Sequence, residues 1–209
     1  MATVLASCRR LAPRSLDVGE ALGLVLAEDV DAPAPVPPFA NSAMDGYAVR
    51  AGDVADASNE HPARLKVVGT IAAGHAPDAS VGPGQALRIM TGALFPDGAD
   101  AVAIVETTRT EGETVLVEAP AKAGEHVRSA GEDIRAGEVV FAAGTVLGPG
   151  HIGVLCSVGR EKVHAVPAPV VGVLSTGDEL VDGGGALRPG QIRDSNRRTL
   201  LSLLSRDGY

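Results

Sequence analysis

Residues 101–118, AVAIVETTRTEGETVLVE, decide the character of the chain. Apolar residues gather over Ala101–Glu106 and Thr114–Glu118. Glu111-Gly112 between them carries a turn signal, so the stretch predicts a β-hairpin. Working outward, the same short-strand pattern recurs at Tyr47–Val49, Leu65–Val68, Ala86–Met90 and Glu138–Phe141, punctuated by glycines. With 26 Gly and 14 Pro in 209 residues, regular turns at this spacing predict a small β-domain between residues 39 and 148 rather than a helical bundle.

The flanks read differently. Asp17 to Ala27 predicts a helix, with Asp17 as cap, Glu20 as capping-box partner and an apolar stripe of Ala21, Leu22, Val25 and Leu26. Pro33, Pro35, Pro37 and Pro38 then force an extended connector. A second helix is predicted over His151–Ser157, entered through Gly148-Pro149-Gly150 and closed by Gly159. Beyond Pro167 and Pro169, the run Val170–Leu174 is apolar throughout, as a parallel strand covered on both faces would be. A Gly-rich loop, Gln191–Arg193 and a helix opening near Asp194-Ser195-Asn196 follow, its Leu200, Leu201, Leu203 and Leu204 on one side and Gly208 as stop signal. Such a β-loop-α unit needs neighbouring strands. The expectation is therefore a third, α/β domain that continues past Tyr209.

Composition narrows the function classes. The hydrophobic fraction is 45% but aromatics are only 2%, with no Trp, so the core must be aliphatic. A net charge of -8 disfavours bulk nucleic-acid binding, which needs a cationic face. Lys66, Lys122 and Lys162 are the only lysines, and the remaining fifteen basic residues are Arg, the better fork for oxyanions. Cys8 and Cys156 lie far apart without metal-type spacing and read as reduced thiols. No apolar run approaches the roughly 20 residues of a membrane span. Arg9, Arg10 and Arg14 precede no apolar stretch of signal-peptide type. A soluble, cytoplasmic protein is expected.

Three acidic clusters stand apart from the strands. Asp45 sits in Asn41-Ser42-Ala43-Met44-Asp45-Gly46, Glu132 and Asp133 in a Gly-flanked loop, and Asp178 and Glu179 in Ser175-Thr176-Gly177-Asp178-Glu179. Loops beyond the carboxyl ends of sheet strands are where ligands sit in open α/β folds. Hydroxyls and loop amides there suit an oxyanion, and carboxylates suit a hard cation such as Mg²⁺. Each cluster also has a plain reading. Asp before Gly fixes a turn, Glu132 and Asp133 make a solvated loop, Asp178 and Glu179 favour a helix start, and Thr91 is a turn hydroxyl. The five His show no ligand spacing. No P-loop and no nucleophile elbow is present.

Five words occur in order: PPFANSAMDGYAV (37–49), RIMTGALFPDGADAV (88–102), GEDI (131–134), VLSTGDEL (173–180) and GQIRDSN (190–196). In that combination, from about Val18 to Tyr209, the chain resembles the first half of the MoeA family, the molybdopterin molybdenumtransferases, related to the E domain of gephyrin.

The resemblance implies an α+β multidomain architecture. A segmented α/β linker domain would take 1–31 plus 138–168, an inserted β-rich domain 32–137, and 169–209 would begin a truncated α/β molybdopterin-binding domain. It implies a homodimer whose site forms between the α/β domain of one subunit and the inserted domain of the other. The implied reaction inserts molybdenum from molybdate into adenylylated molybdopterin, with Mg²⁺-dependent release of AMP. The preceding molybdopterin adenylyltransferase is a partner it suggests; nucleic acid and membrane are not.

By motif, Asp45, Thr91, Asp133 and Glu179 are the implied catalytic residues. Asn41, Ser42, Ser175, Thr176, Gly177, Asp178, Asp194 and Asn196 are the implied substrate contacts. Molybdate is an anion that carboxylates alone repel, so Asp45, Asp133 and Glu179 are read as ligands of a Mg²⁺-type ion or as proton handlers. Ala40 stands where the family word usually has Asp. The family's later pterin-binding loop and Pro-Gly-Asn-Pro word have no counterpart before Tyr209. The 209-residue chain is therefore expected to carry part of a site and to be inactive alone. The alternative is a non-catalytic scaffold or dimerisation module of the same family. A generic nucleotide-binding α/β protein is a distant third.

Overall fold

A computed structural model describes Arg9 and residues 11–209. In chain order the strands are β1 (Arg14–Asp17), β2 (Val25–Leu26), β3 (Val30–Asp31), β4 (Asn41–Ser42), β5 (Gly46–Val49), β6 (Ala63–Ile71), β7 (Gln85–Ile89), β8 (Ala101–Ile104), β9 (Thr108–Glu111), β10 (Thr114–Val117), β11 (Val127–Arg128) and β12 (Val139–Phe141). Helix α1 (Pro149–Ser157), β13 (Lys162–Val166), β14 (Leu180–Val181), β15 (Ile192–Arg193) and helix α2 (Ser195–Arg206) complete the chain. The fold mixes α and β elements in two compact units. One comprises Asp29–Ala142 with Gly153–Glu161; the other comprises the described residues up to Glu28, with Ala143–Ile152 and Lys162–Tyr209.

The first unit is built on a six-stranded sheet in the order β8-β5-β7-β6-β10-β9. Every junction is antiparallel except β6 with β7. Strand β5 is buried along its whole length, because apolar clusters cover both of its faces. Tyr47, Val49, Leu65, Val115 and Val117 form one cluster, and Ala48, Ile71, Leu87, Ile89 and Val102 form the other. The Tyr47 hydroxyl on β5 lies 2.9 Å from Thr110 Oγ1 on β9. Second and sixth strands can meet in this way only if the sheet curls on itself, as strand twist allows.

Gly46 makes the central pairing possible. A Cβ at this position would come within 2.1 Å of the Ala103 carbonyl oxygen on β8, so only glycine lets the two backbones approach.

The expected hairpin over 101–118 is narrower than predicted. Strand β8 pairs with β5, and a 3₁₀ turn at Val105–Thr107 ends it. The hairpin proper joins β9 to β10 with Thr114 opposite Glu111, and Gly112, at φ 61°, supplies its left-handed turn position. The apolar run 101–106 is therefore a strand claimed by a distant partner.

In the second unit, β1 and β2 flank β13 in an antiparallel sheet. The helix predicted over Asp17–Ala27 is corrected here. Only Val18–Ala21 turns, as a 3₁₀ helix, and Asp17 makes no side-chain cap. Gly23, at φ 80°, redirects the chain into β2. A helix through Gly19 and Gly23 would be weak, and pairing with β13 outweighs it.

Helix α1 begins at Pro149, one turn position where a missing N–H costs nothing. The Gly148 N–H donates to His151 Nδ1 at 2.9 Å, and Gly159, at φ 78°, closes the helix.

The buried parallel strand predicted at Val170–Leu174 does not form. These residues are irregular, and Leu174 is 88% exposed, because no described strand pairs with them. The short parallel pair β14–β15 lies later instead. Asp194 caps α2, its carboxylate accepting from the Arg197 N–H at 3.0 Å. Cys8 lies outside the described residues; Cys156 is an exposed thiol. No helix among the described residues is long and apolar enough to cross a membrane.

Candidate functional site

Asp45 stands at the head of β5, and Thr91 follows the end of β7. Because these strands are antiparallel neighbours, the two loops emerge at the same end of the sheet. There the Thr91 N–H and the Thr91 hydroxyl both donate to Asp45 Oδ1, each at 2.7 Å. The Thr91 N–H first, and its hydroxyl second, hold the Asp45 carboxyl below its ordinary value against desolvation, with the Arg88 charge a lesser help.

The loop around this pair is tied on three sides. The Val105 N–H donates to the Asp45 carbonyl at 3.0 Å, Gly92 N–H to the Ser42 carbonyl at 2.8 Å, and Ala43 N–H to the His126 carbonyl at 2.9 Å. Asn41 and Ser42 are buried. Asn41 Nδ2 donates to the Phe39 carbonyl, and Ser42 Oγ to the Met44 carbonyl at 2.6 Å. These two side chains therefore shape the Asp45 turn from within.

Asp133 is held elsewhere in the same unit. Strand β11 pairs with β4, placing Arg128 opposite Asn41. The Arg128 guanidinium reaches both Asp133 oxygens at 2.6 Å and Glu132 Oε1 at 3.4 Å. The Asp133 hydrogen bond is the main cause that raises the Arg128 pKa. The Asp133 and Ile134 N–H groups both donate to the Val36 carbonyl. The words around 37–49, 88–102 and 131–134 thus converge in one unit.

The words around 173–180 and 190–196 converge in the other. The Ile192 N–H donates to the Glu179 carbonyl at 2.7 Å, and the Asp194 N–H to the Val181 carbonyl at 3.1 Å. A Ser175 hydrogen bond, then the Arg197 N–H, hold the Asp194 carboxyl below its ordinary value. Ser175, Thr176, Asp194 and Asn196 line a cleft of about 310 Å³ at the start of α2. Glu179 folds back over Gly177, where a Cβ would sit 2.6 Å from its carboxylate oxygens. Asp178 is exposed and lines no part of that cleft.

Two residues of the first unit were not singled out from sequence: Arg128, five positions before Asp133, and Arg88, three before Thr91. Their signal was the arginine bias, too diffuse to point at either.

The sequence pattern described as MoeA N-terminal region (domain I and II) matches residues 1–159. The chain belongs to the MoeA family. It is 41% identical over 196 residues to molybdopterin molybdenumtransferase 2 of Mycobacterium tuberculosis, covering 94% of this chain and 48% of that protein. It is also 41% identical over 181 residues to the molybdopterin molybdenumtransferase of Bacillus subtilis, covering 85% and 42% respectively. The chain thus spans about half the length of these relatives. Among solved structures, a molybdopterin biosynthesis moeA protein from Pyrococcus horikoshii OT3 superposes with a TM-score of 0.82 at 34% identity, over 93% of this chain and 52% of that one. A second, a molybdopterin biosynthesis moea protein from Pyrococcus horikosii, superposes with a TM-score of 0.77 at 39% identity, over 99% of this chain and 53% of that one.

Carboxylate oxygens suit Mg²⁺ in type, but their present engagements do not make a site for it. Asp45 is taken up by Thr91, and Asp133 by Arg128. No group of three or more His, Cys, Asp or Glu able to hold a metal is formed among the described residues.

Proposed function

We propose that this MoeA-family chain supplies part of a molybdenumtransferase site, in which molybdate and adenylylated molybdopterin are converted to the molybdenum-loaded pterin with release of AMP. The Asp45–Thr91 pair carries this reading. A carboxylate fixed by two donors on one oxygen stays ionised to low pH and keeps Oδ2 as an acceptor, which suits orienting a proton-bearing group of a substrate. Thr91 sets the direction of that oxygen, and the buried Asn41 and Ser42 keep the turn from shifting.

Arg128, clasped by Asp133, is oriented cationic surface in the same unit. Its remaining donors suit an oxyanion such as phosphate or molybdate. Asp133 is then a positioning group for that arginine. The Ser175, Thr176, Asp194 and Asn196 cleft is proposed for the pterin side of the substrate. The segmented linker domain, the inserted β-rich domain and the homodimer with a shared site belong to this proposal, as does a cytoplasmic setting. So do Mg²⁺, as an ion for which the described residues gather no ligand group of three or more, and the preceding adenylyltransferase as supplier of substrate.

The test is molybdate-dependent AMP release by the complete gene product carrying this sequence, with Asp45→Asn and Glu179→Gln alongside. Loss of release in both supports the reading, and unchanged release in both overturns the site assignment. The 209-residue chain alone is expected to release no AMP.

A further inference from the structure

Among the described residues, His126 is the one non-glycine residue with a left-handed backbone, at φ 57°. That conformation is costly for a residue with a Cβ, although His bears it better than most. The side chain does not impose it: the imidazole Nε2 stands 3.9 Å from Glu125 Oε1, beyond hydrogen-bond distance. The main chain does. The Glu125 carbonyl accepts from the Val102 N–H of β8 at 3.0 Å, whereas the His126 carbonyl accepts from the Ala43 N–H at 2.9 Å. By Val127 the chain is already paired with Ser42 of β4, and Arg128 with Asn41. Strand β8 is the edge of its sheet, so His126 is the corner where the chain stops covering that edge and becomes β11. Gly124, at φ 83°, and the Val127 N–H, which donates to the Gly124 carbonyl at 3.2 Å, close the corner.

Ala43 lies two residues before Asp45, in the turn that Ser42 Oγ shapes from within. We propose that His126 is a positioning residue for Asp45 that acts through its main chain. Its left-handed corner aims one carbonyl at the Ala43 N–H and, two residues on, delivers Arg128 opposite Asn41. One corner thereby sets both the turn that carries the carboxylate and the strand that carries the arginine. Backbone strain of this kind persists only where the surrounding structure holds it, and it gathers at functional sites. The side chain at 126 matters by the backbone it permits. The consequence for turnover rests on Asp45 being a site residue; the tie between His126 and Ala43 does not.

The experiment compares His126→Val with His126→Asn and His126→Gly in the complete gene product carrying this sequence. Asn and Gly accept a positive φ, while β-branched Val is strained there. Two readouts are taken: amide exchange in peptides containing Ala43, followed by mass spectrometry, and the kinetics of molybdate-dependent AMP release. In His126→Val the exchange is expected to quicken about tenfold and kcat to fall about tenfold, with KM for molybdate held within about twofold. His126→Asn and His126→Gly are expected to bring both readouts back towards wild type. Exchange in His126→Val equal to wild type overturns the proposal, as does equal impairment in all three variants. Faster exchange at full turnover, in an enzyme that Asp45→Asn disables, overturns it too. Where His126→Val does not fold, His126→Ala, less strained at positive φ, is judged by the same criteria. AMP release that survives Asp45→Asn would sink the site reading and leave the exchange result standing, so the two can fail independently.

Discussion

Thr91 donates its backbone N–H and its hydroxyl to a single oxygen of Asp45, each over 2.7 Å, across 46 residues of sequence. The pair exists because β5 and β7 are antiparallel neighbours whose adjoining loops leave the sheet together. A turn carboxylate is thereby converted into an oriented group that stays ionised below the usual carboxylate range.

That geometry has a pH signature. Thr91 holds the Asp45 carboxyl below its ordinary value in the folded chain, so between the two values the unfolded chain binds more protons. The stability contributed is complete above the ordinary value and is lost as pH falls through the lowered one. Asp45→Asn is expected to flatten the stability curve below about pH 4, read as urea midpoints against pH. Thr91→Val, which retains the N–H donor, should remove only part of the effect. Curves superimposable on wild type in both variants would contradict the pairing.

Gly46→Ala tests the close approach of β5 to β8. The new methyl would meet the Ala103 carbonyl oxygen at 2.1 Å, a backbone atom that cannot move aside cheaply. A loss of about 2 kcal/mol or more is expected, seen as a lowered denaturant midpoint at unchanged slope. Gly52→Ala, with nothing within 4 Å, should stay within about 0.5 kcal/mol of wild type. Similar midpoints for the two variants would refute the role assigned to Gly46.

The Arg128 clasp is a surface interaction, with side chains 36% and 51% exposed, and screening limits its effect on global stability. Its effect should be local. Arg128→Met is expected to speed amide exchange at Asp133 and Ile134, whose N–H groups donate to the Val36 carbonyl, while the thermal midpoint moves little. Unchanged exchange at both amides would show that the loop holds without the arginine.

At α2, the cap is the test. Asp194 accepts from the Arg197 N–H at 3.0 Å, so Asp194→Ala should increase exchange in the first turn of the helix, and Asp194→Ser should largely restore protection. Acid should fray the same turn. The carboxyl is held low by Ser175 and then Arg197, so the capping is complete above the usual aspartate value and fades as pH falls through the lowered one. Equal protection in all three proteins would remove the cap from the account.

Several features were legible without coordinates, and they are local ones. Pro149 at the entry of α1, Gly159 closing it and the opening of α2 near Asp194 each depend on a few neighbouring residues, so composition at those positions is enough. The short strands of the first unit were also readable, because turn glycines and apolar runs mark their ends. The run Ala101–Glu106 misled, since an apolar run names no partner: β8 went to β5, and the hairpin formed from β9 and β10. The segment Asp17–Ala27 misled because helical spacing in a glycine-interrupted stretch is weaker than pairing with β13.

The ordered words determined the family, and with it which side chains to examine, since residue identities in sequence suffice for that. Which of those side chains meet was decided only by the folded chain. Asp45 finds Thr91 across 46 residues, Asp133 finds Arg128, and Tyr47 joins Arg88 to Thr110 across 63 residues. A hydrogen bond needs its donor within about 3 Å. That proximity comes from burying both faces of β5 in a curled sheet, a requirement of the whole unit that no single stretch of residues records.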